Sequence, residues 1–199
     1  SLALLRTRFP DIPAAARAAI LYETEDSELA LEPATPLLDQ SWMALGPRDR
    51  ERLRLLRHAL PELVNDIVRR NGFLKLGSDY AVPPARNFEM LAEYRRRLDA
   101  EFPGRAVVFG HLGDAHLHAN ILPESEDDFE RGRRLLVDLA RAAVALGGVV
   151  SAEHGLGKRK AHLLALQYSP AHIEAMKQVK RRLDPDWLLG RGTLFPDEA

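Results

Sequence analysis

The chain contains no cysteine. Disulfides, thiol nucleophiles, iron–sulfur clusters and cysteine-type zinc fingers are therefore excluded. Any metal would have to sit on His, Asp or Glu. No apolar run is long enough to span a bilayer. Ser1 to Pro10 carries Arg6 and Arg8 without the apolar core of a signal peptide. An excess of one charge is also missing: 28 Lys+Arg stand against 29 Asp+Glu, a formal net charge of -1. That balance argues against a nucleic-acid partner. The expected compartment is the cytoplasm, with peripheral attachment to a membrane left open. What is present is an ordinary globular composition, 46% hydrophobic and 29% charged over 199 residues. That is enough for one domain or a small pair, with a core that needs no covalent staples. The chain begins on Ser1 rather than Met, so a piece of something longer is allowed for.

Along the chain, Ala18 to Tyr22 reads as a short buried strand, and Glu23 to Gly46 as irregular, with Pro33, Pro36 and Trp42. Gly46-Pro47 opens a helical pattern. Leu53, Leu56, Leu60, Leu63, Val64 and Ile67 recur at spacings of three and four, and Pro61 is expected to kink or break the helix. Arg57 falls in that stripe. It reads either as an arginine snorkelling from the stripe's edge or as an anion ligand facing a site. Phe73 to Asp79 reads as a strand, with Leu74 and Leu76 on one face and Lys75, Gly77 and Asp79 on the other. Helices are expected over 88–102, 129–146 and from Ser169-Pro170 to Leu183. The last presents Ile173, Met176, Val179 and Leu183 as an apolar face. Ala106 to Phe109 and Val149 to Ala152 read as strands. Helices and strands mix along the whole length, so the class is α+β or α/β.

Four of the seven histidines fall in two short segments. In Gly110 to Asn120, alternation places His116, His118 and Asn120 on one strand face, and Leu117, Ala119 and Ile121 on the other. His111 sits in a glycine-bracketed turn just before and can fold back toward His118. In the second segment, Glu153 and His154 follow the 149–152 strand and precede Gly155-Leu156-Gly157-Lys158. If the two segments converge, Glu153 completes a site of two imidazoles and one carboxylate. Three such ligands with an open position are typical of a catalytic metal centre. Nitrogen and oxygen ligation suits Zn, Mn, Co or Fe. The glycine pair fails as a phosphate loop, because Ala152 stands where Gly is needed and Arg159 where Ser or Thr is needed.

These residues resemble the C-terminal domain of FAD-linked oxidases. This is the group of D-lactate dehydrogenases, the glycolate oxidase FAD subunit and D-2-hydroxyglutarate dehydrogenase, within the vanillyl-alcohol-oxidase-like flavoproteins. The resemblance rests on Gly110 to Asn120, on Ser151-Ala152-Glu153-His154-Gly155 with Gly157 and Lys158, and on Leu183-Asp184-Pro185 to Phe195. The family pattern is G-H-x-G-D-G-N-x-H-x-N, then S-x-E-H-G-x-G. Weaker similarity reaches back through Lys75, Asp79-Tyr80-Ala81-Val82-Pro83 and Leu56-Arg57 to Gly46. Residues 1–46 are expected to be a shortened or irregular part of the same domain. The resemblance implies an α+β, ferredoxin-like antiparallel sheet with packed helices. It implies His111, His118 and Glu153 as ligands of a divalent metal, Zn or Mn, and His154 as a base beside the flavin. Asn120 matches a substrate-contacting Asn, Arg57 and Lys75 match cations that receive the substrate carboxylate, and Gly155 lies toward the cofactor; His116 is either toward the cofactor too, on the flavin side, or an extra metal ligand. FAD itself would be held mainly by a domain not among these residues. The pattern departs at Ala115-His116, where the family has Gly-Asn, and at Gly190-Arg191-Gly192, where it has Asn-Pro-Gly.

The implied function is the substrate-binding cap of a flavin-dependent 2-hydroxy-acid dehydrogenase, inert alone. Its partners would be a small hydroxy acid and an FAD-binding domain or chain, and a homodimer is left open. The metal would orient the substrate and lower its hydroxyl pKa, and neutral His154 would take the proton. Two other classes fit the same residues. One is a flavin-independent hydrolase using the His/His/Glu metal to activate water. The other is a non-catalytic subunit docked on a separate FAD-binding chain.

Overall fold

The computed structural model describes residues 1–25 and 41–195. The Pro33 and Pro36 part of the expected irregular segment lies outside them. The chain divides into two compact units, Ser1–Gly72 and Phe73–Ala199.

In the first unit, α1 (Leu2–Arg6) packs on α2 (Pro47–Arg70). Leu2, Leu5 and Ile12 are buried there, as are Ala59, Leu60, Val64 and Val68. Helix α2 runs unbroken through Pro61. Proline deprives the carbonyl four residues earlier of its donor. That carbonyl belongs to Arg57, an exposed residue whose backbone water can solvate. Arg57 is thus outside the inward stripe expected of it. Ala18 to Tyr22 is not a buried strand: the segment is irregular, with Ile20 74% and Tyr22 60% exposed. An apolar run without strand partners cannot satisfy its backbone away from water.

The second unit is α+β. A three-stranded antiparallel sheet has the order β1-β3-β2, with β1 Leu76–Gly77, β2 Ala106–His111 and β3 His116–Ile121. Among the described residues four α-helices accompany it: α3 (Asn87–Glu101), α4 (Glu126–Ala145), α5 (Leu164–Gln167) and α6 (Pro170–Leu183). Helix α4 starts where Ser125 Oγ accepts the Asp128 N–H, an N-cap. It lies so close to the sheet that a Cβ at Gly132 would meet the side chains of Leu76 and Ile121. The core is built from Met90, Tyr94 and Leu98 of α3, Leu135, Leu139, Ala140 and Ala143 of α4, and Ala119 and Ile121 of β3.

Three expectations are corrected. The strand over 73–79 shrinks to two residues, because only Leu76 and Gly77 find ladder partners, Ile121 and Asn120. Leu74 is 52% exposed while Leu76 is buried, so the two do not share a buried face. The 149–152 strand is a single bridge, Ala81 to Val149. The apolar face of α6 is half covered: Ile173 and Met176 pack on the core, whereas Val179 and Leu183 are exposed.

Candidate metal centre

The β2–β3 hairpin sets Phe109 opposite His118 and His111 opposite His116. Opposed residues share a sheet face, as do residues two apart. His111, His116 and His118 therefore stand together on one side of the ribbon. His111 is the last residue of β2 rather than part of a turn; the ladder, not a fold-back, brings it in. Gly110 lets the strands close, since a Cβ there would collide with the His116 carbonyl. Ala115 adopts φ 48° in the turn, a conformation that costs an L-residue about 1–2 kcal/mol.

The opposite wall is the loop after Val150. Val149 N–H donates to the Ala81 carbonyl at 2.8 Å, and Ala152 N–H to the Asp79 carbonyl at 2.9 Å. The Asp79 side chain, fully buried, completes the clamp. Its Oδ2 accepts from the Ser151 hydroxyl at 2.7 Å and the His154 N–H at 2.9 Å, and its Oδ1 from the Glu153 N–H at 3.3 Å. Burial would raise this carboxyl's pKa, but those donors outweigh it and hold the pKa below its ordinary value. The loop is thereby pinned with Glu153 against the histidines. His111 Nε2 lies 3.4 Å from Glu153 Oε1, and His116 Nδ1 lies 3.5 Å from the same oxygen.

Two groups of donors result. One ligand atom each from His111, His118 and Glu153 lie within 4.8 Å of one another, and so do those of Asp79, His116 and His118. Imidazole and carboxylate donors at this spacing suit a first-row divalent cation. His118 Nδ1 is 3.1 Å from the Ser78 carbonyl, a hydrogen bond of the kind that orients a ligating imidazole and leaves Nε2 for metal. Burial lowers the His118 pKa, against the Ser78 contact that raises it. The neutral form that a metal needs is thus favoured.

His116 is only 2% exposed, with both ring nitrogens directed at carboxylates. It is therefore not open to a cofactor, contrary to the expected flavin contact. Its Nε2 and the Asn120 Nδ2 are buried without a hydrogen-bond partner. Orphaned polar atoms of this kind cost about 1–3 kcal/mol each. The polar face of β3 is not the solvated side of the strand; the 151–154 loop and Asp79 cover it.

His154 is the outermost member, its side chain 66% exposed and its ring 5.6 Å from that of His118. Gly155 beside it faces open space. Lys75 lies at the surface, where partial loss of water lowers its ammonium pKa. Lys160 is more enclosed: burial lowers its pKa, Asp79 raises it and Lys75 lowers it. Arg57 belongs to the first unit, so the second unit builds this cluster without it. A cavity of about 540 Å³ runs along the same loop, sharing Glu153 and Gly155 with the site and lined beyond them by Leu156, Leu164, Met176 and Leu194.

The family model of FAD linked oxidases, C-terminal domain, matches residues 4–194. The chain belongs to that family. Among curated relatives of this C-terminal domain, D-2-hydroxyglutarate dehydrogenase of Stutzerimonas stutzeri is 30% identical over 177 residues, 86% of this chain and 38% of that protein. Glycolate oxidase subunit GlcD of Bacillus subtilis is 34% identical over 102 residues, 50% of this chain and 22% of that one. D-lactate dehydrogenase of Anaerostipes hadrus is 35% identical over 121 residues, 58% of this chain and 25% of that one. The chain thus matches well under half the length of these relatives. Among the described residues, no helix is long and apolar enough to cross a membrane.

Asp79 and Lys160 are the members of this cluster that local spacing does not mark. The side-chain partners of Asp79 are 72 to 75 positions away. Only the tertiary fold joins them.

Proposed function

We propose that this chain is the substrate-side domain of a flavin-dependent 2-hydroxy-acid dehydrogenase. The observation that carries the reading is the convergence of His111, His118 and Glu153 donors within 4.8 Å, in a chain of the FAD-linked-oxidase family. FAD would be held by a separate domain or chain, and would accept the hydride. The edge formed by His154 and Gly155 is open enough for a flat ring to approach. A divalent cation on His111, His118 and Glu153 would supply Lewis acidity toward the substrate's carboxylate and hydroxyl oxygens.

The chain's own residues do the rest. His154, exposed at the mouth, takes the hydroxyl proton, a task suited to imidazole. The Asp79 clamp holds its backbone so that the ring stays beside the metal ligands. Lys75 offers positive charge for the substrate carboxylate, joined by Lys160. Asn120, expected to contact substrate, is as enclosed as His116 at 1% exposed, so its unsatisfied amide nitrogen lies beneath the site rather than at its mouth.

The test loads the chain with zinc or manganese and measures bound metal by elemental analysis. His118→Ala loses the metal; His154→Ala keeps it. The same variants, assayed with the FAD-binding partner, a 2-hydroxy acid and a dye acceptor, are both expected to lose turnover. Metal content unchanged in His118→Ala refutes the ligand assignment. Ester or phosphate hydrolysis by the metal-loaded chain without flavin refutes the dehydrogenase reading.

A further inference from the structure

We propose that Asp79, His116 and His118 form a second seat for a divalent cation, deeper than the His111–His118–Glu153 seat and alternative to it. The proposal shares with the functional reading only the assignment of His118 as a ligand; it needs neither His111 nor Glu153.

The donors of the inner seat lie within 4.8 Å of one another. Asp79 is 0% and His116 2% exposed. His116 Nε2 and Asp79 Oδ1 are 3.2 Å apart, yet Nε2 has no hydrogen-bond partner. Two donors on one tetrahedral ion, each bonded at about 2.0–2.1 Å, stand about 3.4 Å apart. The observed spacing is therefore that of ligands sharing an ion. Asp79 has capacity left for it. Oδ2 is taken by the Ser151 hydroxyl and the His154 N–H, whereas Oδ1 accepts only the longer contact from the Glu153 N–H. A His116 proton on Nδ1, toward Glu153 Oε1 at 3.5 Å, leaves Nε2 bare.

Two imidazoles and one carboxylate select a zinc-like ion over magnesium or calcium, which take six or more oxygens. His118 Nδ1 is engaged by the Ser78 carbonyl, so His118 has one nitrogen to give. One nitrogen binds one ion, so the two seats exclude each other. The inner seat depends on His116, which stands where the family pattern has Asn. Relatives that follow the pattern have no imidazole there.

The full chain is titrated with zinc against a competing chelator, with cobalt absorption as a second readout of coordination. In the double variant His111→Ala, Glu153→Gln, the inner seat predicts that about one zinc per chain is retained. Adding His116→Asn to it raises Kd at least about tenfold, while the zinc-free variant keeps the wild-type circular dichroism spectrum. A double variant that binds no zinc, while the wild type does, overturns the inner seat and leaves the functional reading standing. Zinc lost from His116→Asn alone but retained in the double variant overturns the outer seat and supports the inner one. A wild-type chain that binds no zinc overturns both. If the double variant fails to fold, His111→Ala alone, at a partly exposed position, provides the same contrast.

Discussion

Asp79→Asn measures how strongly one buried carboxylate holds the site together. In the wild type, Oδ2 accepts from Ser151 and His154, and Oδ1 from Glu153. Asparagine keeps one oxygen and turns the other into a donor. With the oxygen at the Oδ2 position, two charge-assisted bonds become neutral ones, each weaker by about 1 kcal/mol. The new NH₂ group then faces the Glu153 N–H, donor against donor, for a further loss of about 1 kcal/mol. It can recover about 1 kcal/mol by donating to the unpartnered His116 Nε2. The net expectation is a loss of about 2 kcal/mol. Native-state hydrogen exchange of the Glu153 and His154 amides, run in chelator so that no metal contributes, reads it directly. Protection should fall about thirtyfold, with a matching drop in urea stability. Protection of both amides within about 0.5 kcal/mol of wild type would refute the clamp.

Three further outcomes follow from the same structure. Gly110→Ala drives a Cβ into the His116 carbonyl and should open the hairpin, seen as loss of metal binding together with a drop of several kcal/mol in urea stability. Leu139→Ala, at a side chain with no exposed surface, should cost about 2–5 kcal/mol in denaturant unfolding and leave metal stoichiometry unchanged. Acid should destabilise through Asp128. Burial works to raise its pKa, but the Glu124 N–H, Arg105 and Arg131 overcome this and lower it. A carboxyl with a depressed folded-state pKa stabilises above its unfolded value of about 4 and loses that contribution as pH falls through the folded one. Asp128→Asn should therefore be less stable than wild type at pH 6 and converge on it in acid; parallel curves would count against this.

Much of the site was legible in the residues. His116, His118 and Asn120 alternate in a strand as their spacing predicts, and the helix after Ser125 buries Leu135, Leu139 and Ala143 as its period demands. Local periodicity registers such features because it depends on which side of a chain faces the core. It misjudged features that depend on a partner. Ala18 to Tyr22 is apolar but has no strand beside it among the described residues, and 73–79 pairs at two residues only. Arg57 falls within an apolar spacing but lies outside the buried face of α2, which is set by Ala59, Leu60, Val64 and Val68.

The sequence alone determined which donors exist: no thiols, a row of imidazoles on one strand face, and a Glu-His pair at a glycine-rich turn. Only the tertiary structure decided which of them meet. The Asp79 carboxylate, unremarkable in its own neighbourhood, reaches across more than seventy residues to tie down the Glu153 loop and to face His116. The reason is the range of each kind of information. Side-chain alternation reports on neighbours two positions away, whereas a metal seat is fixed by distances through space, and those exist only once the sheet and its loops have closed.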